Sequence, residues 1–283
     1  SVPAAPRAVE TASPAPAPQD ASALIAGMSA AVRSGAWARN VAPTIEDGRL
    51  AFTGSVASAN EREKLIAAVR RELGEREATF DIAVATRATE PTDLGATYEL
   101  GDRPSGGMMR TALLEHYSDA ARRSFQQPTQ SALEAEIARF ATAIYRNQSS
   151  LVRHAHALST LFDDLAAKEL TPEAATSLAG LARFHANGVI ESEAAIYDHL
   201  SEALPRRYWN HRGDRTAPED ADVTAAGREI LADALRLDET LSTLLGSSAA
   251  TVDAGEVETS AGALLYRLRT RARNLTSGLD SAR

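Results

Sequence analysis

Apolar positions recur along this chain in two rhythms, and the change from one to the other divides it. From Ser22 to Val32, the residues Leu24, Ile25, Met28, Ala31 and Val32 follow helical spacing. Residues 37–45 and 50–56 instead alternate every second position around Glu46-Asp47-Gly48, which predicts two strands and a tight turn. In the second strand Leu50, Phe52 and Val56 share one face, while Arg49, Ala51 and Thr53 share the other. Helical spacing returns over 59–74 through Leu65, Ile66, Val69 and Leu73. A last strand over 79–86 alternates Phe80, Ile82 and Val84 with Asp81 and Ala83. Helix, strand, strand, helix, strand predicts an α+β unit over 21–86, one sheet with helices on one face.

The segments on either side of this unit lack periodicity. Residues 1–20 carry five prolines among small and polar residues and predict an extended, semi-rigid spacer. Such a spacer suits a tethered module, with a signal peptide or membrane anchor expected upstream. Residues 87–107 contain Pro91, Pro104 and several glycines and predict a linker. Everything from 108 to 283 predicts an all-α bundle, with helices over about 108–125, 129–168, 171–204, 219–245 and 257–277. Thr171-Pro172-Glu173 is a strong helix start, joining a capping hydroxyl, a proline at the first helical position and an acid in the first turn. Asn187-Gly188 is the one place where that helix could break. The fold class expected is therefore a small αββαβ domain followed by an all-α domain built on a long antiparallel hairpin, mainly α overall.

The stretch TIEDGRLAFTGSVASANEREKLIAAVRRELGEREATFDIAV resembles a BON domain, a small module of bacterial envelope proteins. Gly48, Gly54, Val56, Glu61 and Arg62 fall on the positions that carry the likeness, whereas Glu77-Ala78 stands where the family has Gly-Val. The resemblance implies an extracytoplasmic setting and binding of an envelope component, with no catalytic residues.

The two long helices make a sharper prediction. Leu151, His154, Leu158, Leu161 and Leu165 form one seam, and Leu178, Leu181, His185 and Gly188 form another. With a turn near 169–170, Leu161 should face Leu178, Leu158 face Leu181, and His154 face His185. The following layers would set Leu151 against Gly188 and Asn147 against Ser192. His154 and His185 then share a layer at the end of an apolar stretch. Two imidazoles so placed read as a metal site, as a pH switch, or as a satisfied pair in the core. Against the metal, Glu191 is the nearest acid after His185 on its helix, about 9 Å along the axis.

The same region, QSSLVRHAHALSTLFDDLAAKELTPEAATSLAGLARFHANGV, resembles the helical C-terminal part of uncharacterised, membrane-anchored, anti-sigma-factor-like bacterial proteins. His154, Ala155, Ala157, Leu158, Leu161, Pro172, Glu173, Ala174 and His185 carry that likeness. It implies the extracytoplasmic, sensor or scaffold side of a membrane regulator whose zinc-binding segment and membrane helix are not in this sequence.

Composition narrows the chemistry. The absence of cysteine excludes disulfides, thiol nucleophiles and Cys-based zinc sites. The net charge of −8 argues against a nucleic-acid partner, and no apolar run is long enough to span a membrane. Most of the acidity falls on the helical part, since residues 1–95 hold 10 basic and 12 acidic groups and the remainder 20 and 26. The loop around Arg206, Arg207, Tyr208, Trp209, His211 and Arg212 is the densest basic and aromatic cluster, a candidate partner-binding loop or a plug for the end of the bundle. Arg267, Arg269, Arg271 and Arg273 read as solvated charge near a helix end, and Asp163-Asp164 as a polar helix face. No phosphate loop, nucleophile elbow, zinc-protease or dinucleotide motif is present, so neither catalysis nor a cofactor is expected. The function expected is a non-enzymatic, extracytoplasmic interaction or sensor module. Its partner would be a protein or an envelope component such as peptidoglycan or a lipid surface. The alternative is a helical metal- or small-ligand-binding protein using the His154/His185 layer.

Overall fold

The structure, a computed structural model, describes residues 19–39, 41–46, 48–84, 108–124, 128–165, 170–204, 223–246 and 254–281. Within them the protein is mainly helical, with seven α-helices and one three-stranded sheet. The first element, α1 (Ala21–Arg33), is started by Asp20, whose carboxylate accepts from the Ala23 backbone N–H at 2.7 Å. A 3-10 turn (Trp37–Arg39) follows, then β1 (Val41–Glu46) and β2 (Arg49–Val56), paired antiparallel from Val41↔Gly54 to Glu46↔Arg49. Gly48 turns the chain between them with φ +73°, a conformation that costs a side-chain-bearing residue but not glycine. Helix α2 (Ala59–Leu73) crosses over to β3 (Thr79–Val84), which pairs parallel to β2 from Ala51↔Thr79 to Val56↔Val84. Its start is closed on both sides: Ser58 accepts from the Glu61 N–H, and the Glu61 carboxylate accepts from the Ala57 N–H. Pro43, which cannot donate to a ladder, stands in the edge strand β1.

Trp37 does not begin a strand, as its alternation with Val41 and Ile45 suggests. The chain leaves α1 through Gly35 at φ +72°, and the Ala36 carbonyl takes the N–H groups of both Arg39 and Val41. That closes a 3-10 turn, and pairing with β2 starts only at Val41. The two faces of β2 also differ from expectation, because Ala51 is buried although it points away from Leu50 and Phe52.

The remaining helices are α3 (Met108–Arg123), α4 (Gln130–Thr160), α5 (Pro172–Ala203), α6 (Val223–Gly246) and α7 (Ala254–Ser281). Thr171 caps α5 by accepting from the Ala174 N–H, Pro172 takes the first helical position, and the helix continues unbroken through Gly188. Helices α4, α5, α7 and α6 pack in that cyclic order, with α3 laid against α4, α5 and α6. Paired contacts show neighbouring helices running antiparallel: His154–His185 with Ser150–Ser192 (α4 to α5), Gln148–Ala234 with Asp163–Arg228 (α4 to α6), Glu193–Arg269 with Arg183–Leu279 (α5 to α7), and Asp233–Arg267 with Glu229–Arg271 (α6 to α7). Among the described residues, no helix is long and apolar enough to cross a membrane.

Two apolar cores result, and α5 belongs to both. Leu151, Leu158, Ala182, Ala186, Val189 and Ile196 face into the bundle with α6 and α7. Leu161, Ala174, Leu178 and Leu181 instead complete the core of the N-terminal unit, beside Leu24, Ile25, Phe52 and Leu65. The seam expected between α4 and α5 is therefore divided, with Leu158 in one core and Leu181 in the other. At the end of α4, residues Leu161–Leu165 widen into a π turn. In this turn Leu161 enters the N-terminal core and Phe162 the bundle. Phe162 lies over Gly227 of α6, where a Cβ would come within 2.7 Å of the ring.

Residues 1–18 of the Pro/Ala spacer, the 87–107 linker, strand residues 85 and 86, and the turn at 166–169 lie outside the described residues. So does the loop holding Arg206, Arg207, Tyr208, Trp209, His211 and Arg212.

Because Leu181 serves the N-terminal core from a bundle helix, Leu181→Ala should lower stability by about 2–4 kcal/mol. Hydrogen exchange should place the lost protection in α1 as well as α5; loss confined to α5 would contradict a shared core.

Candidate functional site

Helical spacing sets His154 and His185 on the facing sides of α4 and α5, and their Nδ1 atoms lie 3.0 Å apart. That distance is a hydrogen bond, so one imidazole donates from Nδ1 and the other accepts there through its lone pair. His185 is buried, with 3% of its surface exposed, and His154 is half-buried. Burial pushes the His154 imidazole down to about 4, assisted by the Arg153 guanidinium. Burial likewise pushes His185 down to about 3, with His154 opposing a second charge. At neutral pH both rings are uncharged, which leaves the accepting Nδ1 its lone pair for the shared hydrogen bond.

The histidines form half of an aromatic cluster. Trp37, delivered by the 3-10 turn of the N-terminal unit, stacks on His154 at 5.4 Å between centroids with 15° between planes. The same indole meets His185 edge-on at 4.6 Å. Phe184 closes the other side, at 5.6 Å from His154 and 5.0 Å from His185. The indole Nε1 of Trp37 is buried without a hydrogen-bond partner. Trp37 is thus where the α+β unit touches the bundle through rings, beside the Leu178/Leu181 contact.

Space for the cluster comes from Gly188. A Cβ there would lie 2.5 Å from Cε1, Nδ1 and Nε2 of His154, so the imidazole occupies the volume that any other residue would fill. The large-against-small layer expected for Leu151 and Gly188 is therefore formed by His154 and Gly188. The next expected layer is also displaced, because Ser192 pairs with Ser150 at 3.1 Å rather than with Asn147. Both observed partners stand three residues later in α4 than counted, at the neighbouring position on the same helical face, so the offset is constant across these two layers.

The accepting Nδ1 lone pair, which a metal ion would need, is already engaged in the shared hydrogen bond. Two imidazole nitrogens on one tetrahedral zinc would sit ~3.3 Å apart and would both need free lone pairs. Among the described residues, no group of three His, Asp or Glu side chains is placed to hold a metal ion. What the cluster does is join the N-terminal unit to the bundle through contacting rings.

A second polar assembly corrects the reading of α7. Arg269 makes a paired contact with the buried Glu193 of α5, at 2.6 and 2.9 Å, and its guanidinium lies 5.2 Å from the Tyr197 ring. Arg267 and Arg271 both bond the buried Asp233 of α6, and Arg271 also reaches Glu229 at 3.3 Å. Three of the four arginines expected in solvent are thus anchors for buried carboxylates. Burial pushes the Glu193 carboxyl up, against the lowering effect of Arg269, and the Glu193 bond holds Arg269 above its usual value. The sequence carried a signal: Glu193 interrupts the stripe Val189, Ile196, Leu200, and Asp233 interrupts Ile230, Leu237, Leu241. An acid on a core stripe requires a cation opposite. Nearby, Gln148 donates to the Ala234 carbonyl at 3.0 Å from a fully buried position. Asp163, read as part of a polar face, pairs with Arg228 at 2.7 Å and accepts from Ser159.

Gly188→Ala should lower stability by about 1–3 kcal/mol and displace His154, seen as altered imidazole shifts in NMR spectra. A variant of unchanged stability would show that the ring does not fill this space. Arg269→Met should cost about 3–5 kcal/mol in urea unfolding, because it strands Glu193 in the core. Glu193→Leu combined with Arg269→Met should recover most of that loss; equal loss in both variants would argue that Arg269 acts by packing alone.

Comparison of the chain with protein-family models, curated proteins and solved structures gives no match.

Proposed function

We propose that this chain is a non-enzymatic interaction and sensor module on the extracytoplasmic side of a bacterial membrane, the soluble part of a tethered, anti-sigma-like regulatory protein. In this reading the BON-like αββαβ unit takes up an envelope component or a protein partner. The long α4–α5 hairpin then carries the change into the bundle. The observation that supports this most is the continuity of the N-terminal core into the bundle. Leu161, Leu178 and Leu181 complete that core, and Trp37 stacks on His154. A ligand that shifts α1 or the 3-10 turn must also shift the start of α5, because close-packed side chains transmit displacement. The resemblances at Gly48, Gly54, Val56, Glu61 and Arg62, and at His154, Pro172, Glu173 and His185, supply the envelope setting.

The test is location followed by binding. Full-length protein fused to alkaline phosphatase, which is active only outside the cytoplasm, should show reporter activity. The purified chain should sediment with isolated peptidoglycan sacculi or with vesicles of phosphatidylethanolamine and phosphatidylglycerol. A silent but stable fusion, or no retention by either surface together with no crosslinked envelope protein, would overturn the proposal.

A further inference from the structure

The contact between Trp37, His154 and His185 has properties that a purely structural joint does not need. It is the place where the N-terminal unit meets the bundle through polar rings, and its central bond depends on where protons sit. A neutral pair holds Nδ1–H···Nδ1 at 3.0 Å. One added proton can be taken on the outer nitrogen of the donating ring, and the bond survives. A second proton must enter the accepting Nδ1, and then two N–H groups point at each other. The doubly charged pair cannot stay closed.

Burial opposes that charge at both rings, and Arg153 opposes it at His154. Within four residues of Trp37, His154 and His185 along their elements, the charged side chains are Arg33, Arg39, Arg153 and Arg183, with His156 as a further titratable group. None is acidic. From α1, Arg33 is paired with Glu72 at 2.8 Å, which leaves that carboxylate engaged away from the rings. From α5, Arg183 donates to the Leu279 carbonyl of α7, and from α4, Arg153 acts directly on His154. No described carboxylate is positioned to convert the imidazolium into an ion pair. Opening also has a local gain, because the buried Trp37 Nε1–H would then donate a hydrogen bond to water.

We propose that the His154–His185 pair is an acid-operated latch, which holds the N-terminal α+β unit on the bundle when neutral and releases Trp37 when both imidazoles are protonated. The inference rests on the reading of this joint as the element coupling the two units. Once opened, the imidazoles return to the ordinary histidine value near 6.5, whereas in the closed joint they are held down to about 4 and about 3. Closure is therefore fully favoured above about pH 6.5 and is weakened as pH falls toward 4. With two protons taken up on opening, the open-to-closed ratio should rise about 10³-fold between pH 7.5 and 5. Each ring alone supplies about 30-fold of this.

The experiment uses the Trp209→Phe chain, in which Trp37 is the one remaining tryptophan. Its emission should shift to the red between pH 7.5 and 4.5 while the far-UV helical signal is retained. The steepness should correspond to about two protons. His154→Gln combined with His185→Gln keeps an amide hydrogen bond possible and removes both titrating rings, so the shift should vanish. His185→Gln alone should leave a one-proton transition. In the unmodified chain, exchange in α1 and the 3-10 turn, corrected for the intrinsic rate, should rise at pH 5 before exchange in α6 and α7. A Trp37 shift that coincides with loss of helix, or that persists in the double variant, would overturn the latch. These readouts need neither partner nor membrane, so they stand apart from the location and binding tests.

Discussion

Helix α5 must be apolar on two sides, and the arrangement of the other elements follows from that demand. Its first turns give Ala174, Leu178 and Leu181 to the N-terminal sheet and α1. From Ala182 onward the apolar stripe turns into the bundle through Ala186, Val189 and Ile196. A helix packed on one face alone would leave Leu178 or Ala182 in water, depending on which neighbour was removed. Small residues manage the crossover, since Ala182, Ala186 and Gly188 let α4 approach closely enough for His154 to lie over the backbone. The two units are therefore held together by burial first, and the aromatic joint at Trp37 adds direction to a contact that apolar packing alone would leave unspecified.

The bundle also contains an interior that apolar packing does not account for. Glu193 and Asp233 are buried at the level of the core, each met by arginine from α7. Such pairs contribute little net stability, since desolvation offsets their attraction. Their effect is on alignment: Arg269 can grip both oxygens of Glu193 only when α5 and α7 lie in one register. Leucine layers are nearly interchangeable along a helix, whereas this contact is not. The alternation of α7 arginines between α5 and α6 partners fixes three helices with one segment.

Much of this was legible wherever a local rule coincided with a tertiary need. Thr171-Pro172-Glu173 marks the start of α5 because capping uses only neighbouring atoms. The turn at Gly48 is similarly local. The His154–His185 contact could be counted from spacing, even though α4 widens at Leu161–Leu165 between the turn and His154. Counting failed in the next two layers, where His154 instead of Leu151 lies over Gly188 and Ser150 instead of Asn147 meets Ser192, because residues three apart share one helical face and spacing alone does not choose between them. Trp37 misled for a different reason: alternation with Val41 and Ile45 mimics a strand, while the hydrogen bonds of the Ala36 carbonyl decide the backbone. The α7 arginines were read as exposed because a cation run is judged by its own helix. Their partners lie 34 and 76 residues away.

The π turn at Leu161–Leu165 makes the spacing of residues, as well as their identity, part of the design. A π turn amounts to one residue inserted into a helix, and here it falls where Leu161 enters one core and Phe162 the other. Losing one residue from this segment would restore regular winding and rotate every preceding side chain of α4 by roughly 100° relative to the chain beyond the turn. His154 would then leave the face of α5 even though no residue around it had changed. This short stretch sets the phase of the whole helix, and deletions there should be tolerated less than substitutions.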